Sequence, residues 1–371
     1  MKKRSASIIS ITITVVLCLL LTGAVFAGTP DLTPGRIDEV VTKLMKEKNI
    51  PGLSLAISMP GRTIERNYGI ANKEYNVPVE KDTVFEIGSV SKTFAAIGIL
   101  MLQQEKRLSV TDRLTKYFPQ YPQWHDITLK NLLQHTSGIR EMTGTEPFRS
   151  NQQKDWTPRE VIARMAEEPL DFQPGQNAVY SNIGCIILGV VIEKVTGVSY
   201  GDFLNDRILR PLGMGHTMLG STSAIIPKRA SGYYMYTGKL MNAPFASLVL
   251  PYASGGMTST TADLIKLTKV FTAKALLSKG SVKEMFAPVR LNNGTEFVLP
   301  GSTINMTYGY GLDSLRGKKV IPAKTGGISG FNAFFAYFPG TETMVALTAN
   351  LDNSLESLVI ITDALFGLKG R

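Results

Sequence analysis

Runs rich in β-branched and aromatic residues stand at the two ends of this 371-residue chain, and helical periods fill its middle. That distribution constrains the fold more than any single motif does. Residues 33–49 carry Ile37, Val40, Val41, Leu44 and Met45 on one face and stop before Pro51-Gly52, which predicts an amphipathic first helix. Residues 53–59 and 63–68 flank Pro60-Gly61-Arg62 and read as two strands of a hairpin. Helical spacing then dominates 93–104, 128–135, 158–167, 183–195 and 201–208, with few strand signals among them. Strand runs return at 319–325, 331–338 and 343–350, and a last helix is predicted over 355–368. Terminal strands of this kind bury their apolar faces by joining in one sheet. The expected fold is therefore α+β: an antiparallel sheet flanked by the N- and C-terminal helices, with an inserted, mainly helical lobe. The sheet lobe takes about 28–85 and 246–371 and the helical lobe about 86–245, with a cleft between them. Asn293-Gly294 predicts a further hairpin in a variable surface excursion that reaches Met306.

The N-terminus opens on Lys2, Lys3 and Arg4, continues through apolar residues 8–21 and reaches Val25-Phe26-Ala27. Basic end, apolar middle and small residues in that order predict a signal peptide over 1–27 and an exported, periplasmic or secreted protein. The competing reading is an uncleaved membrane anchor through residues 8–27, which are about long enough to span a bilayer. Of the two cysteines, Cys18 would leave with the signal. Cys185, with apolar neighbours Ile183, Ile186, Ile187 and Leu188, is expected to be a packed core thiol. The formal charge of +10 is diffuse. It suits weak attraction to an anionic cell envelope, whereas nucleic-acid binding would need a clustered basic patch with aromatics.

Three short motifs carry chemistry. Ser89-Val90-Ser91-Lys92 follows Gly88 at a helix start and is the only Ser-x-x-Lys in the chain. Residues three apart share a helix face with β-carbons roughly 5–6 Å apart, so the Lys92 amine can reach the Ser89 hydroxyl. A buried lysine near other positive charge can take the serine proton, and the helix N-terminus favours the developing negative charge. Tyr180-Ser181-Asn182 lies on a loop before a helix, where a phenol can relay a proton and an amide can hold a carbonyl or orient the lysine. Taken by itself, that motif is also explained by a turn with a packed Tyr and a capping Asn. Lys324-Thr325-Gly326-Gly327 ends a predicted strand, where glycines admit a substrate backbone and the Lys-Thr pair suits a carboxylate.

With all three motifs in this order, the sequence resembles the penicillin-recognising serine hydrolases, in particular class C β-lactamases and related D-alanyl-D-alanine carboxypeptidases, esterases and D-aminopeptidases. The likeness extends to Gly69-Ile70-Ala71-Asn72, Leu132 to Gly138, Pro211-Leu212-Gly213-Met214 and Gly255-Gly256-Met257. It implies a Ser89 nucleophile paired with Lys92, Tyr180 as general base and acid, Asn182 on the substrate amide, and Lys324 and Thr325 on its carboxylate. The backbone N–H groups of Ser89 and Gly327 would form the oxyanion hole. The implied function is acyl-enzyme formation and cleavage of amide or ester bonds in β-lactam, cell-wall peptide (D-Ala-D-Ala-like) or ester substrates. Carboxylesterase or D-aminopeptidase activity is the first alternative, and a non-hydrolytic penicillin-binding sensor or pseudoenzyme the second. No cofactor, metal or nucleic acid is expected, and the protein is expected to be a monomer. A Ser-His-Asp hydrolase is disfavoured, because no Gly-x-Ser-x-Gly occurs and His125, His135 and His216 lack a suitable context. His135, in a His-Thr-Ser-Gly turn, is expected to be structural. The same three histidines and one mature cysteine offer no zinc set.

Overall fold

The computed structural model describes residues 31–300, 306–316 and 320–368, so the predicted signal peptide lies outside the described residues. One eight-stranded sheet organises the molecule. In chain order its strands are β1 (Gly52–Met59), β2 (Arg62–Asn72), β3 (Val77–Pro78), β4 (Thr307–Tyr308), β5 (Asp313–Arg316), β6 (Val320–Ile328), β7 (Phe331–Phe338) and β8 (Thr343–Ala349). Their spatial order is β3-β2-β1-β8-β7-β6-β5-β4. Every neighbouring pair from β2 to β4 is antiparallel. The two ends of the chain meet at β1 and β8, from Leu53 opposite Ala349 to Ser58 opposite Met344. The expected union of terminal strands is thus the centre of the sheet.

Period-two alternation decides which side of the sheet each residue serves. Phe334, Ala336 and Phe338 face the terminal helices α1 (Pro34–Lys48) and α4 (Leu355–Phe366), in one core with Ile37, Val41, Leu358 and Ile361. Ala333, Phe335 and Tyr337 face the opposite way and join the core of the helical lobe. Two helices in that lobe are wrapped by protein. In α2 (Ser91–Gln104) residues 91–102 are all buried, and in α3 (Asn182–Thr196) residues 183–192 are. Helices apolar all round belong in the interior of a large core. Each begins at one of the motifs, so the chemistry-bearing residues sit at the ends of helices anchored in the core.

Several boundaries differ from expectation for physical reasons. The helix expected over 128–135 stops at Leu133, because His135 turns left-handed at φ 60°. The strand expected over 319–325 continues through Gly326 and Gly327 to Ile328, carried by its pairing with β7. The middle of the chain holds more strand than its composition signals, with short pieces at Phe85–Glu86, Met218–Leu219, Tyr233–Tyr236 and Lys239–Asn242. Asn293-Gly294 makes a turn with Gly294 at φ 80°, closed by a single bridge between Arg290 and Glu296. Part of that excursion, residues 301–305, lies outside the described residues. Leu250, Leu264, Val270 and Met285 pack into the core of the helical lobe, although they follow the stretch expected to form it.

Candidate active site

The nucleophile turn is clamped from below and from the side. Gly88–Val90 makes one tight turn that runs directly into α2, leaving Ser89 partly exposed above a buried helix. Ser91 ties the turn down: its hydroxyl donates to the Gly88 carbonyl at 2.7 Å and accepts from the Met257 N–H at 3.1 Å. On the flank lies β6. A β-carbon placed on Gly88 would come within 2.8 Å of the Gly327 nitrogen, and one on Gly326 within 2.1 Å of the Ile87 carbonyl oxygen. The two backbones touch, and only glycine allows it. Gly326→Ala is therefore expected to push the strand off the nucleophile turn, at a cost of about 1–3 kcal/mol for overpacking. Thermal unfolding should register that cost, and acylation of Ser89 should fall even in the fraction that stays folded.

Strand β6 also presents a free edge here. Strand β5 pairs with it only from Val320 to Ala323, so residues 324–328 have no partner strand on that side among the described residues. The Thr325 N–H points to the free side, where it donates to Asp313 Oδ2 at 3.1 Å. Backbone N–H groups alternate along a strand, so the Gly327 N–H points the same way. It therefore lies on the side of the strand that flanks the Ser89 turn.

Lys92 is fully buried, and its Nζ donates to Ser89 Oγ at 3.0 Å, Asn182 Oδ1 at 2.7 Å and the Ser254 carbonyl at 2.7 Å. Three acceptors satisfy the three protons of an ammonium. Burial pulls its pKa down to about 8, and the like charge of Lys324 pulls in the same direction. In the neutral amine two N–H bonds remain for Asn182 and Ser254, and the lone pair then faces the Ser89 hydroxyl.

The Tyr180 ring lies between two amines, 4.7 Å from Lys92 Nζ and 5.1 Å from Lys324 Nζ at its centroid. The Ser89 hydroxyl is close enough to the phenol to oppose, in part, the upward pull of burial on its pKa. Burial, reinforced by the charge of Asp313, holds the phenol pKa well above its ordinary value, so Tyr180 is protonated at neutral pH. His135 braces this segment on both sides of the tyrosine. Its carbonyl accepts from the Val179 N–H at 2.9 Å, and its Nδ1 accepts from the Ser181 N–H at 3.2 Å. Burial, with Lys324 and Lys92 nearby, pushes the imidazole pKa well down. A neutral ring with Nδ1 accepting carries its proton on Nε2. Cys185, one turn after Asn182, is buried and unpaired, and burial raises its thiol pKa.

Ser89, Lys92, Tyr180, Asn182, Lys324, Thr325 and Gly327 thus converge on one centre, from the starts of two helices, a loop and a strand. Two carboxylates that complete it went unnoticed in the sequence. Glu141 accepts from the Asn182 N–H at 2.6 Å and the Asn182 side-chain amide at 2.9 Å, which aims the amide oxygen at Lys92. Asp313 accepts from Lys324 Nζ at 2.8 Å and from the Thr325 hydroxyl at 2.9 Å. Glu141 follows closely on the Thr136-Ser137-Gly138 turn, which offered a position to inspect; Asp313 stands on a four-residue strand without any local signal.

The sequence matches the Beta-lactamase family model over residues 37–366. The chain belongs to the beta-lactamase family. Among relatives, Penicillin-binding protein 4* of Bacillus subtilis is 28% identical over 322 residues, covering 81% of this chain and 69% of that protein. The octameric penicillin-binding protein homologue from Pyrococcus abyssi superposes with a TM-score of 0.78 at 28% identity, covering 91% of this chain and 77% of that one. D-amino acid amidase from Ochrobactrum anthropi SV3, complexed with L-phenylalanine amide, gives a TM-score of 0.78 at 26% identity, covering 90% and 98%. Membership of this family makes the protein a serine hydrolase of the penicillin-binding and β-lactamase type.

Proposed function

We propose that the protein hydrolyses amide or ester bonds through an acyl-enzyme on Ser89, with Lys92 as the base that activates it. The observation that carries this reading is the buried Lys92 amine, 3.0 Å from Ser89 Oγ with its pKa lowered to about 8. Neutral Lys92 takes the Ser89 proton as Oγ bonds to the substrate carbonyl carbon, and the carbonyl π pair moves onto an oxygen held by the Ser89 and Gly327 N–H groups. Collapse of that adduct expels the leaving amine or alkoxide, which takes a proton from Tyr180. Lys92 returns its proton to the phenol through the hydrogen-bonded centre. Water then attacks the acyl-enzyme along the same proton route, releasing the acid and restoring Ser89. The resemblance gave the base role to Tyr180. A phenol kept protonated is better suited to donate, so we assign abstraction to Lys92 and donation to Tyr180.

The pH profile tests this division. Lys92 must be neutral to act, so kcat/KM should rise with pH along an acid limb centred near 8. A limb in the ordinary carboxylate range instead would remove Lys92 from the base role. A fluorophosphonate that phosphonylates active-site serines, followed by intact mass and peptide mapping, tests the nucleophile directly. The label should fall on Ser89 and vanish from Ser89→Ala. A panel holding a chromogenic cephalosporin, a D-Ala-D-Ala peptide, a D-amino acid amide and an aryl ester then separates β-lactamase, peptidase and esterase activity. A long-lived adduct without turnover of any of them would favour the sensor. Export belongs to the same proposal and is supported by the pattern of residues 1–27.

A further inference from the structure

Lys324 and Thr325 are the residues that the resemblance gives to a substrate carboxylate, and a carboxylate of this chain already holds them. Asp313 Oδ1 accepts from Lys324 Nζ at 2.8 Å; Oδ2 accepts from the Thr325 hydroxyl at 2.9 Å and the Thr325 N–H at 3.1 Å. An ammonium, a hydroxyl and a backbone N–H are the set an incoming carboxylate would seek. The pair is shut away from water, with side chains of Lys324 and Asp313 only 1% and 3% exposed. Asp313 is also fixed by its strand, paired with Ala323 on one side and Tyr308 on the other.

Charge points the same way. The lysine and carboxylate charges that act on the Lys92 amine are those of Lys324, Glu141 and Asp313, so the one cation beside it is already faced by two carboxylates. Glu141 is occupied by Asn182 and by the Thr143 N–H at 3.2 Å. Among the described residues of this hydrogen-bonded centre, Lys92 Nζ has three acceptors and Lys324 Nζ has the Asp313 carboxylate. An incoming carboxylate must either displace Asp313, leaving a buried charge unpaired, or lie beside a like charge. Both are costly, and an unfavourable contact of this kind discriminates as well as a favourable one.

We propose that Asp313 is a specificity-determining positioning residue that fills the carboxylate subsite from within, directing the Ser89 centre to acyl donors that carry no carboxylate where they meet Lys324 and Thr325. The substrate class is then neutral esters and amides. This rests on the acyl-enzyme reading above.

The test is a matched pair of phenylacetyl esters, one of 3-hydroxybenzoate and one of 3-hydroxybenzamide, which differ only in a charged group on the leaving side. Wild-type protein should favour the benzamide ester in kcat/KM, by about tenfold, and Asp313→Asn should move the ratio about tenfold toward the benzoate ester, chiefly through KM. A wild-type ratio at parity or favouring the benzoate ester overturns the assignment, and so does a folded Asp313→Asn protein with an unchanged ratio. The wild-type comparison decides alone if the variant does not fold. Fluorophosphonate labelling of Ser89 in the same preparation keeps the two readings apart. Labelled, active protein with the wrong ratio removes only the role of Asp313, whereas absence of both label and turnover removes the acyl-enzyme itself.

Discussion

Replacing Ser89 with alanine is expected to lower kcat by a factor on the order of 10⁶, the scale seen when a catalytic unit loses its nucleophile. The reason is geometric: the buried Lys92 amine donates to that one hydroxyl at 3.0 Å, and the Gly327 backbone lies against the turn that carries it. Lys92→Met should cost nearly as much, because a serine without its base is a weak nucleophile. Since the two act together, the double variant should be no slower than Ser89→Ala alone. A clearly additive loss, measured as kcat on the best substrate of the panel, would mean that Lys92 does not act through Ser89. Lys92→Met also strips the Asn182 and Ser254 oxygens of a buried donor, at about 1–3 kcal/mol. Its thermal unfolding must therefore be followed beside its rate.

Tyr180→Phe should slow turnover by about 10²–10⁴, the usual reach of a lost general acid or base. The ring itself stays useful. It packs 4.8 Å from His135 and 6.1 Å from Tyr308, centroid to centroid, so the variant keeps its apolar contacts and loses only the hydroxyl. If Lys92 abstracts and Tyr180 donates, the acid limb near pH 8 should persist in the slow variant. The penalty should also shrink for esters with good leaving groups, which need little protonation on departure. A uniform penalty across leaving groups, together with a vanished acid limb, would return the base role to the phenol.

What sequence could and could not show follows from the range of each interaction. Ser89 and Lys92 were legible because one helical turn brings them together, whatever the rest of the chain does. The strand over Phe331–Phe338 was legible for a similar reason, since its run of aromatic residues bounded by Gly330 and Pro339 is a local signal. Tyr180 and Lys324 were placed near Ser89 by likeness to a family, and no spacing in the chain could have done so. Glu141 and Asp313 stayed hidden because each is defined by a partner on another element. A lone Asp on a short strand looks like any surface carboxylate until β5 pairs with β6 and turns it inward against Lys324. His135 gave half its meaning: a structural role was expected, but its grip on the residues flanking Tyr180 required the fold.

The seam between β1 and β8 has a temporal side. A ribosome delivers the nucleophile turn early and the strand that abuts it late, and β6 gains its inner neighbour only when β7 and β8 follow. Until β6 is made, the turn that carries Ser89 has no Gly327 backbone against it and Tyr180 has no Lys324 beside it. Long-range pairing of this sort is slow to form. A nascent chain therefore holds Ser89 and Lys92 well before the strand that completes the centre around them exists.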